Sequence, residues 1–304
     1  MNVIISGANG FIGSHLKSHL KKNSNFKVIS LLRNPIENIN TQMSYEDFFR
    51  NKLNIKATYF IHLASPNFDY CNDNSINDGI TVLTKKILKV LPKYQCKNFI
   101  FFSTIKVYGE SDVNNHIHKE SSKLNPITDY AKAKAEAEML IKKECYSLNI
   151  NYVIYRLPFV YGPGMKSNIS KLIKIIDLSL PIPIFNTKGF QKKSFLTIEN
   201  IKTVITKNLI EDKSINNTTL NLSDFEPISL FEFLEYYKTI SKSKSIIISL
   251  PKFTFNIFIK IPILNNIIIK IFGDFQIDNS KIIKVHNGNI MNTFEGISSL
   301  VSNK

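Results

Sequence analysis

Tyr130 and Lys134 are the residues whose types and spacing most directly suggest chemistry, in the segment Tyr-Ala-Lys-Ala-Lys. Positions i and i+4 of a helix share one face, so a phenol and an ammonium would lie side by side. A free phenol is protonated at neutral pH. A nearby ammonium would lower its pKa and let Tyr130 exchange a proton with an alcohol or sugar oxygen. The spacing also arises by chance in a Lys-rich chain, so its surroundings decide its meaning.

Two hydroxyl groups precede this helix along the chain. The apolar run Asn98–Ser103 predicts a strand, and Ser103 and Thr104 stand at its carboxyl end. The carboxyl ends of parallel strands are where such sheets bind ligands. We therefore expect Thr104 to hold a substrate oxygen beside Tyr130. For Ser103 alone, capping of a turn is the favoured interpretation, with contact to a cofactor as the alternative.

A glycine-rich turn, Gly-Ala-Asn-Gly-Phe-Ile-Gly, begins at Gly7 between the first predicted strand and the first predicted helix. Three glycines in this context are typical of a dinucleotide site, where the backbone approaches a pyrophosphate and the helix N-terminus donates N–H groups to it. The spacing is GxxGxxG and not GxGxxG, and a turn without a ligand is the alternative. We favour the dinucleotide site.

Arg33 stands about 20 residues beyond the turn, where an acidic residue normally binds the ribose 2′-hydroxyl of NAD. A guanidinium there can hold the 2′-phosphate of NADP instead. Only three of the 39 basic residues are Arg, so the position is informative. We expect NADP(H) in preference to NAD(H), with a solvated Arg at a strand end as the alternative.

The elements that position these residues alternate between strands and helices, which predicts an α/β protein with a doubly wound parallel sheet, the Rossmann fold. Residues 1–164 are expected to form this domain. Residues 165–304 are expected to form mainly a smaller α/β substrate domain, with some segments returning to the first. The predicted strands are Asn2–Ser6, Phe26–Leu32, Tyr59–Leu63, Asn98–Ser103, Tyr152–Arg156, Thr219–Leu222 and Ser245–Leu250. The predicted helices are Phe11–Lys22, Ile80–Leu91, Asp129–Tyr146, Ile169–Leu180 and Ile228–Ile240.

The net charge of +15 raises nucleic acid or an anionic membrane as a partner. The excess is dispersed Lys in an Ile- and Asn-rich chain without Trp, which indicates compositional bias, and no basic run is interleaved with aromatics. We therefore expect no nucleic-acid partner. Three widely spaced Cys give no metal pattern and fit a reducing, cytoplasmic setting.

The most apolar segment, Pro251–Gly273, is interrupted by Lys, Pro and Asn, so we expect no transmembrane span. Helices packed in the core are the favoured interpretation. Shallow membrane contact by a basic amphipathic stretch is the less favoured one.

Taken in order, these motifs resemble the extended short-chain dehydrogenase/reductase family, in its NAD(P)-dependent nucleotide-sugar epimerase/dehydratase branch. The matching segments are GANGFIGSHL at 7–16, FIHLASP at 60–66, FFSTIKVYGE at 101–110, YAKAK at 130–134, YRLPFVYGPG at 155–164, KKSFLTIENI at 192–201 and FGDFQIDNSKI at 272–282. The resemblance spans nearly the whole chain.

The resemblance implies a role for each matching position. The implied catalytic residues are Thr104, Tyr130 and Lys134. The implied cofactor-binding residues, besides Arg33, Tyr130 and Lys134, are Gly7, Asn9, Gly10, Phe11, Ile12, Gly13, His62, Leu63, Ala64, Ser103, Pro158, Phe159 and Val160. The implied substrate contacts, besides Thr104 and Tyr130, are Asn168 and Lys193, with Lys192 beside it. No metal is implied, and a homodimer through two helices of each subunit is expected.

The resemblance leaves three reactions on a nucleotide-diphosphate sugar to compare. A 4,6-dehydratase of this family carries Asp-Glu after the catalytic hydroxyl, whereas this chain has Ile105 and Lys106, so dehydration is disfavoured. The segments around STIKVYGE and VYGPGMKSN are similar to 4-ketoreductases that make nucleotide-linked N-acetyl-6-deoxyhexosamines for surface polysaccharides. We favour reduction of a C4 ketone, with an NAD-dependent 4-epimerase similar to UDP-glucose 4-epimerase as the alternative. A redox sensor that binds NADP without turnover is disfavoured because Thr104, Tyr130 and Lys134 are all present.

Overall fold

The structure, a computed structural model, describes residues 1–36, 41–52, 55–65, 78–111, 113–114, 116–211 and 216–302. Its strands are β1 Asn2–Ser6, β2 Lys27–Leu32, β3 Gln42–Ser44, β4 Tyr59–His62, β5 Asn98–Thr104, β6 Ile117–His118, β7 Asn151–Leu157, β8 Phe159–Tyr161, β9 Ile182–Phe185, β10 Lys192–Lys193, β11 Phe195–Thr197, β12 Thr218–Asn221, β13 Ile228–Ser229, β14 Ile247–Leu250 and β15 Gln276–Ile277. Pro66, the last residue of the FIHLASP segment, lies outside the described residues.

Helices occur along the whole described chain, between and after the strands. They are α1 Phe11–Lys21, α2 Tyr45–Phe49, α3 Leu83–Val90, α4 Asp129–Ser147, α5 Asn168–Asp177, α6 Ile198–Glu211, α7 Leu230–Ile240, α8 Lys252–Phe258, α9 Pro262–Phe272, α10 Ser280–Val285 and α11 Thr293–Ser302. A π-helical turn, Asp78–Val82, precedes α3, and 3₁₀ turns occupy Leu91–Tyr94 and Ile105–Tyr108.

Seven strands form one sheet in the order β12-β7-β5-β4-β1-β2-β3. Every neighbouring pair from β7 to β3 is parallel. The inner strands are apolar along their whole length, as in β1, where Val3, Ile4 and Ile5 have no exposed surface. Continuous apolar strands are what a parallel sheet covered on both faces requires. The predicted Rossmann fold is confirmed.

The chain divides into two compact units. The first contains residues 1–109, 123–157 and 201–220, and the second contains 110–122, 158–200 and 221–304. In this division the chain leaves the first unit after β7, at residue 157, and most of α6 returns to the first unit, while the domain boundary at residue 164 stays a prediction. Residues 110–122 join the second unit because β6 pairs in parallel with β15.

The second unit is built from two-stranded pairs and short helices. β8 pairs in parallel with β11, β9 with β14, and β10 pairs antiparallel to β13. Its core contains Tyr161, Phe195 and Phe233, whose rings lie 5.0–6.3 Å apart. At its centre the buried Asp224 carboxylate accepts hydrogen bonds from the Thr197 backbone N–H at 2.8 Å and the Tyr161 hydroxyl at 2.7 Å.

Candidate active site

The glycine turn brings α1 directly against the end of β1. At Gly7 φ is +71°, and a Cβ there would meet the Ala64 backbone nitrogen at 2.7 Å. A Cβ at Gly13 would lie 2.1 Å from the Gly7 carbonyl oxygen. Glycine at these two positions therefore lets the turn close and the helix pack on it. α1 begins after Gly10 with no side-chain cap and no acidic residue in its first turn, which leaves N–H groups free for an anion.

A cavity of about 900 Å³ opens beside this turn within the first unit. It is lined by Gly7, Ala8, Asn9, Gly10, Leu31, Leu32, Arg33, Asn34, Tyr45, Phe49, Leu63, Ala64, Ser65, Gly79, Val82, Leu83 and Lys86. No carboxylate occurs among these residues, and Arg33 and Lys86 are the cations among them. An apolar wall with two cations and a helix N-terminus suits a planar base joined to phosphates.

Six of the predicted cofactor residues line this cavity: Gly7, Asn9, Gly10, Arg33, Leu63 and Ala64. The rest of the lining includes residues with no predicted role: Tyr45 and Phe49 on α2, Val82 of the π-helical turn, and Leu83 and Lys86 on α3. These residues carry no motif. Tyr45 and Phe49 reach the cavity on α2, which follows the three-residue strand β3.

His62 occupies the end of β4 and has no exposed surface. Its Nδ1 lies 2.6 Å from the Ser6 hydroxyl, and its Nε2 lies 3.0 Å from the Thr84 hydroxyl. Burial lowers the pKa of His62 to about 3, and the Lys134 ammonium adds to this effect, so the ring is neutral. The side chain ties β1 to α3, and the residues after it, Leu63 and Ala64, face the cavity.

Tyr130 and Lys134 lie on α4, which Thr128 caps by accepting a hydrogen bond from the Ala131 N–H. The Lys134 Nζ is 5.8 Å from the centre of the Tyr130 ring, so the predicted face is formed. The same ammonium donates to the Phe102 carbonyl oxygen at 2.8 Å and lies 4.5 Å from the centre of the Phe101 ring. Lys134 is thus fixed against β5, the strand that ends in Thr104.

The electrostatics of this pair differ from the expectation. Burial raises the pKa of Tyr130 to about 12, opposed by a hydrogen bond with the Ser65 side chain. The pKa of Tyr130 is therefore raised and not lowered as expected, because the loss of solvent around the phenol dominates. Burial also lowers the pKa of Lys134 to about 7, with the Glu138 carboxylate opposing it. At neutral pH Tyr130 is accordingly a proton donor.

Thr104 and Ser103 end β5 as predicted, with different partners. The Thr104 hydroxyl accepts a hydrogen bond from the Lys106 N–H at 3.3 Å and caps the 3₁₀ turn that follows. It retains a lone pair and a donor proton for a ligand. The Ser103 hydroxyl instead donates to the Glu138 Oε1 at 2.5 Å in the interior. Ser103 is therefore part of a buried network, and neither of the two predicted roles describes that contact.

Glu138 and Arg156 form a buried ion pair that the sequence analysis missed. Arg156 on β7 donates from Nε to the Glu138 Oε1 at 3.0 Å and from Nη2 to Oε2 at 2.5 Å. Its Nη1 donates to the Tyr108 hydroxyl at 2.9 Å. Glu138 follows Lys134 by four residues on the same Ala-rich helix, and a third polar residue on that face was the signal available.

Two of the substrate residues implied by the resemblance, Asn168 and Lys193, lie in the second unit. Asn168 is the first residue of α5, directly after the Ser167 cap. The Lys193 Nζ donates to the Ser111 hydroxyl at 3.0 Å and to the Lys270 carbonyl oxygen at 2.9 Å. Phe159 and Val160 lie in β8, immediately after Pro158. Their roles toward substrate and cofactor stay predictions.

Metal sites and membrane-spanning helices can be assessed in the part of the chain that the structure describes. Within it, no group of three or more His, Cys, Asp or Glu could hold a metal ion. No single helix of it is long and apolar enough to cross a membrane. α8 and α9 taken together are long and apolar enough, but a bend of 114° separates them.

Comparisons with known proteins place these features in a family. The family model described as NAD dependent epimerase/dehydratase family matches residues 3–222. The chain is 25% identical over 296 residues to a UDP-glucose 4-epimerase of Vibrio cholerae, covering 92% of this chain and 88% of that protein. It is 31% identical over 235 residues to a dTDP-D-glucose 4,6-dehydratase of Dictyostelium discoideum, covering 66% and 53%. Among solved structures, the UDP-N-acetylglucosamine 4-epimerase of Bacillus cereus superposes with a TM-score of 0.79 at 16% identity, covering 100% of this chain and 99% of that one.

Proposed function

Because the chain belongs to the NAD-dependent epimerase/dehydratase family of extended short-chain dehydrogenase/reductases, we propose that it transfers a hydride at C4 of a nucleotide-linked sugar. Tyr130 and Thr104 hydrogen-bond the C4 oxygen, and Tyr130 exchanges the proton. Lys134 orients the ribose of the nicotinamide cofactor and keeps a positive charge beside the phenol. Asn168 and Lys193 are assigned to the nucleotide diphosphate of the substrate on the family resemblance.

Our first candidate is an NADP-dependent reductase that converts a 4-keto-6-deoxy sugar, of the N-acetylamino type, to the alcohol. The observation that carries it is the cofactor cavity, whose walls, as far as the structure describes the chain, contain Arg33 and Lys86 and no carboxylate. A cationic wall favours the additional phosphate of NADP.

A 4-epimerase is the second candidate. The observation that favours it is the full-length similarity to the UDP-glucose 4-epimerase of Vibrio cholerae. An epimerase oxidises C4, turns the keto sugar and reduces it again, so its cofactor is not consumed. Dehydration has less support, since Ile105 and Lys106 follow Thr104 where a family dehydratase carries Asp-Glu.

The two candidates differ in their cofactor balance. The protein is mixed with NADPH or NADH and with UDP-linked 4-keto-6-deoxy-N-acetylhexosamine, and absorbance of the reduced nicotinamide is followed. The reductase consumes one NADPH for each sugar alcohol formed. If the 4-keto sugar leaves NADPH untouched while UDP-glucose or UDP-N-acetylglucosamine changes its C4 configuration, the epimerase is the correct candidate and the reductase is rejected.

A further inference from the structure

The helical hairpin α8–α9, residues 252–272, presents apolar side chains on both of its faces. Its inner face packs on the second unit, with Phe255 and Ile268 buried against Phe185. Each helix also exposes apolar side chains, which together we call the outer face: Phe253 and Ile257 on α8 and Ile263 and Ile267 on α9, with exposed fractions of 62%, 54%, 84% and 55%. Bulky apolar side chains with this exposure on two consecutive helices make the hairpin a candidate interaction surface.

The outer side chains fall on one stripe of each helix. Phe253 and Ile257 are separated by four residues, and so are Ile263 and Ile267. That spacing puts each pair on one helical face. Lys270 continues the stripe of α9 at i+7 from Ile263, and Lys260 lies between the helices. Each helix is therefore apolar outward with Lys at its end, the pattern of a helix that lies in a membrane interface.

The chain segment that contains the hairpin carries charge of one sign. The 38 residues from 236 to 273 contain no Asp or Glu. They contain six lysines: Lys238, Lys242, Lys244, Lys252, Lys260 and Lys270. A symmetric dimer through this face would bring two such surfaces together, and their like charges would repel. An anionic lipid surface attracts them, by about 1 kcal/mol for each Lys near the headgroups.

We propose that the outer face of the α8–α9 hairpin docks on the surface of a membrane that contains anionic phospholipids. The bend of 114° between the helices prevents the hairpin from crossing the bilayer as one straight helix. It allows both helices to lie in the interface with Phe253, Ile263 and Ile267 among the acyl chains. The lysines then contact the lipid phosphates. This property is independent of the reaction proposed above.

Co-sedimentation with vesicles tests the proposal on the full chain. One vesicle contains phosphatidylcholine alone, and the other contains phosphatidylcholine mixed with phosphatidylglycerol. We expect the protein to bind only the mixed vesicle and to be released by high salt. The triple variant Phe253→Ser, Ile263→Ser, Ile267→Ser should bind at least about tenfold more weakly. A matched control replaces three apolar residues that are equally exposed elsewhere, Ile36→Ser, Ile127→Ser and Leu178→Ser, and should bind as the wild type does.

A charge variant distinguishes electrostatic attraction to anionic lipid from nonspecific hydrophobic adsorption. Lys260→Gln with Lys270→Gln should weaken binding about 30-fold, since about 1 kcal/mol is lost with each Lys and about 1.4 kcal/mol is a tenfold change. The control Lys142→Gln with Lys143→Gln, on the exposed side of α4, should not. The proposal is overturned if neither vesicle binds, if both bind equally, or if the apolar variant binds like the wild type. It is also overturned if the lipid-free protein is a dimer that the apolar variant converts to monomers, because a second copy then covers this face.

Discussion

Arg33 is the residue on which the cofactor assignment rests. It lines the cavity at the end of β2, where a carboxylate would favour the unphosphorylated ribose. We predict that Arg33→Ala weakens NADPH binding by about tenfold or more, the value of a charge-assisted hydrogen bond, and leaves NADH binding nearly unchanged. Fluorescence titration of both cofactors measures this. Arg50→Ala is the control, because Arg50 is exposed and pairs with Glu46 outside the cavity.

Glu138 does not face a ligand in our assignment, but it acts on Lys134. Its carboxylate raises the pKa of Lys134 against the effect of burial. With that pKa at about 7, kcat/KM for reduction should fall as the pH rises above about 7, since the ammonium form is lost. In Glu138→Gln the pKa of Lys134 is lower, so the fall should begin at a lower pH. Glu136→Gln, on the exposed side of α4, should leave the profile in place.

A purely structural role for Glu138 predicts a different result. Removing one partner of a buried ion pair costs about 3–5 kcal/mol, which alone lowers the amount of folded enzyme. The double variant Glu138→Gln, Arg156→Met removes the unpaired cation and should recover much of that loss. If the recovered protein has the pH profile of the wild type, Glu138 does not tune Lys134.

The positions of the reactive residues could be predicted from the sequence, but their pKa values could not. Tyr130 and Lys134 share a face of α4 as their spacing predicted, and Thr104 ends β5. The pKa of Tyr130 was mistaken in direction because burial is a property of the folded surroundings and not of spacing. The ion pair of Glu138 with Arg156 joins residues 18 positions apart, which no local pattern reveals.

At the scale of elements, the contact of α1 with the glycine turn leaves no room for a side chain at Gly13. We predict that Gly13→Ala lowers the free energy of unfolding by about 1–3 kcal/mol, because its Cβ would overlap the Gly7 carbonyl oxygen. Gly10→Ala should cost less, since its Cβ would lie 3.2 Å from the same oxygen. Urea unfolding of the two variants beside the wild type measures the difference. Equal stability of Gly13→Ala and the wild type would contradict this packing.

The ranges of helices and strands were predicted well where the sequence shows a single hydrophobic periodicity. They were predicted less well where tertiary packing determines the local structure. β1 and α4 agree with their predicted ranges to within one residue. The predicted helix Ile80–Leu91 is instead a π-helical turn, a short α-helix and the start of a 3₁₀ turn. Residues 251–273 were expected to be core helices, yet their outer side chains are exposed, because an apolar sequence does not say how many of its faces find a partner.

The stability of the whole molecule should depend on Asp224. Burial raises the pKa of this carboxyl from 3.8 to about 7, against hydrogen bonds from Thr197, Tyr161 and Asn200. Between these pH values the folded chain holds a proton that the unfolded chain has lost. The free energy of unfolding therefore falls as the pH rises from about 4 to 7, by up to about 4 kcal/mol.

Asp224→Asn should remove that dependence. An amide keeps an acceptor for Thr197, and its NH₂ group can donate to the Tyr161 hydroxyl, which already lies 3.1 Å from the Thr293 carbonyl oxygen. Urea unfolding at several pH values between 4 and 7 compares the two proteins. A wild-type stability that is level or rises across this range would contradict the assignment.

At the scale of the molecule, the positive charge is assigned to two different kinds of ligand. Most of the +15 remains dispersed Lys, while Arg33 and Lys86 line the cofactor cavity and six lysines occur in the segment 236–273, which contains the α8–α9 hairpin. Both proposed small ligands carry phosphates, so a positive field raises their capture rate.

The central claim is hydride transfer to C4 of a nucleotide-linked sugar with Tyr130 as the proton donor. The most direct test incubates the protein with NADPH deuterated at the transferable position of the nicotinamide and a UDP-linked 4-keto-6-deoxy-N-acetylhexosamine. Mass spectrometry and NMR of the product locate the label. We predict one deuterium at C4 with the wild type. With Tyr130→Phe we predict a rate lower by at least about 10²-fold, while NADPH still binds. Deuterium at another carbon, no transfer at all, or an undiminished rate in Tyr130→Phe would contradict the account.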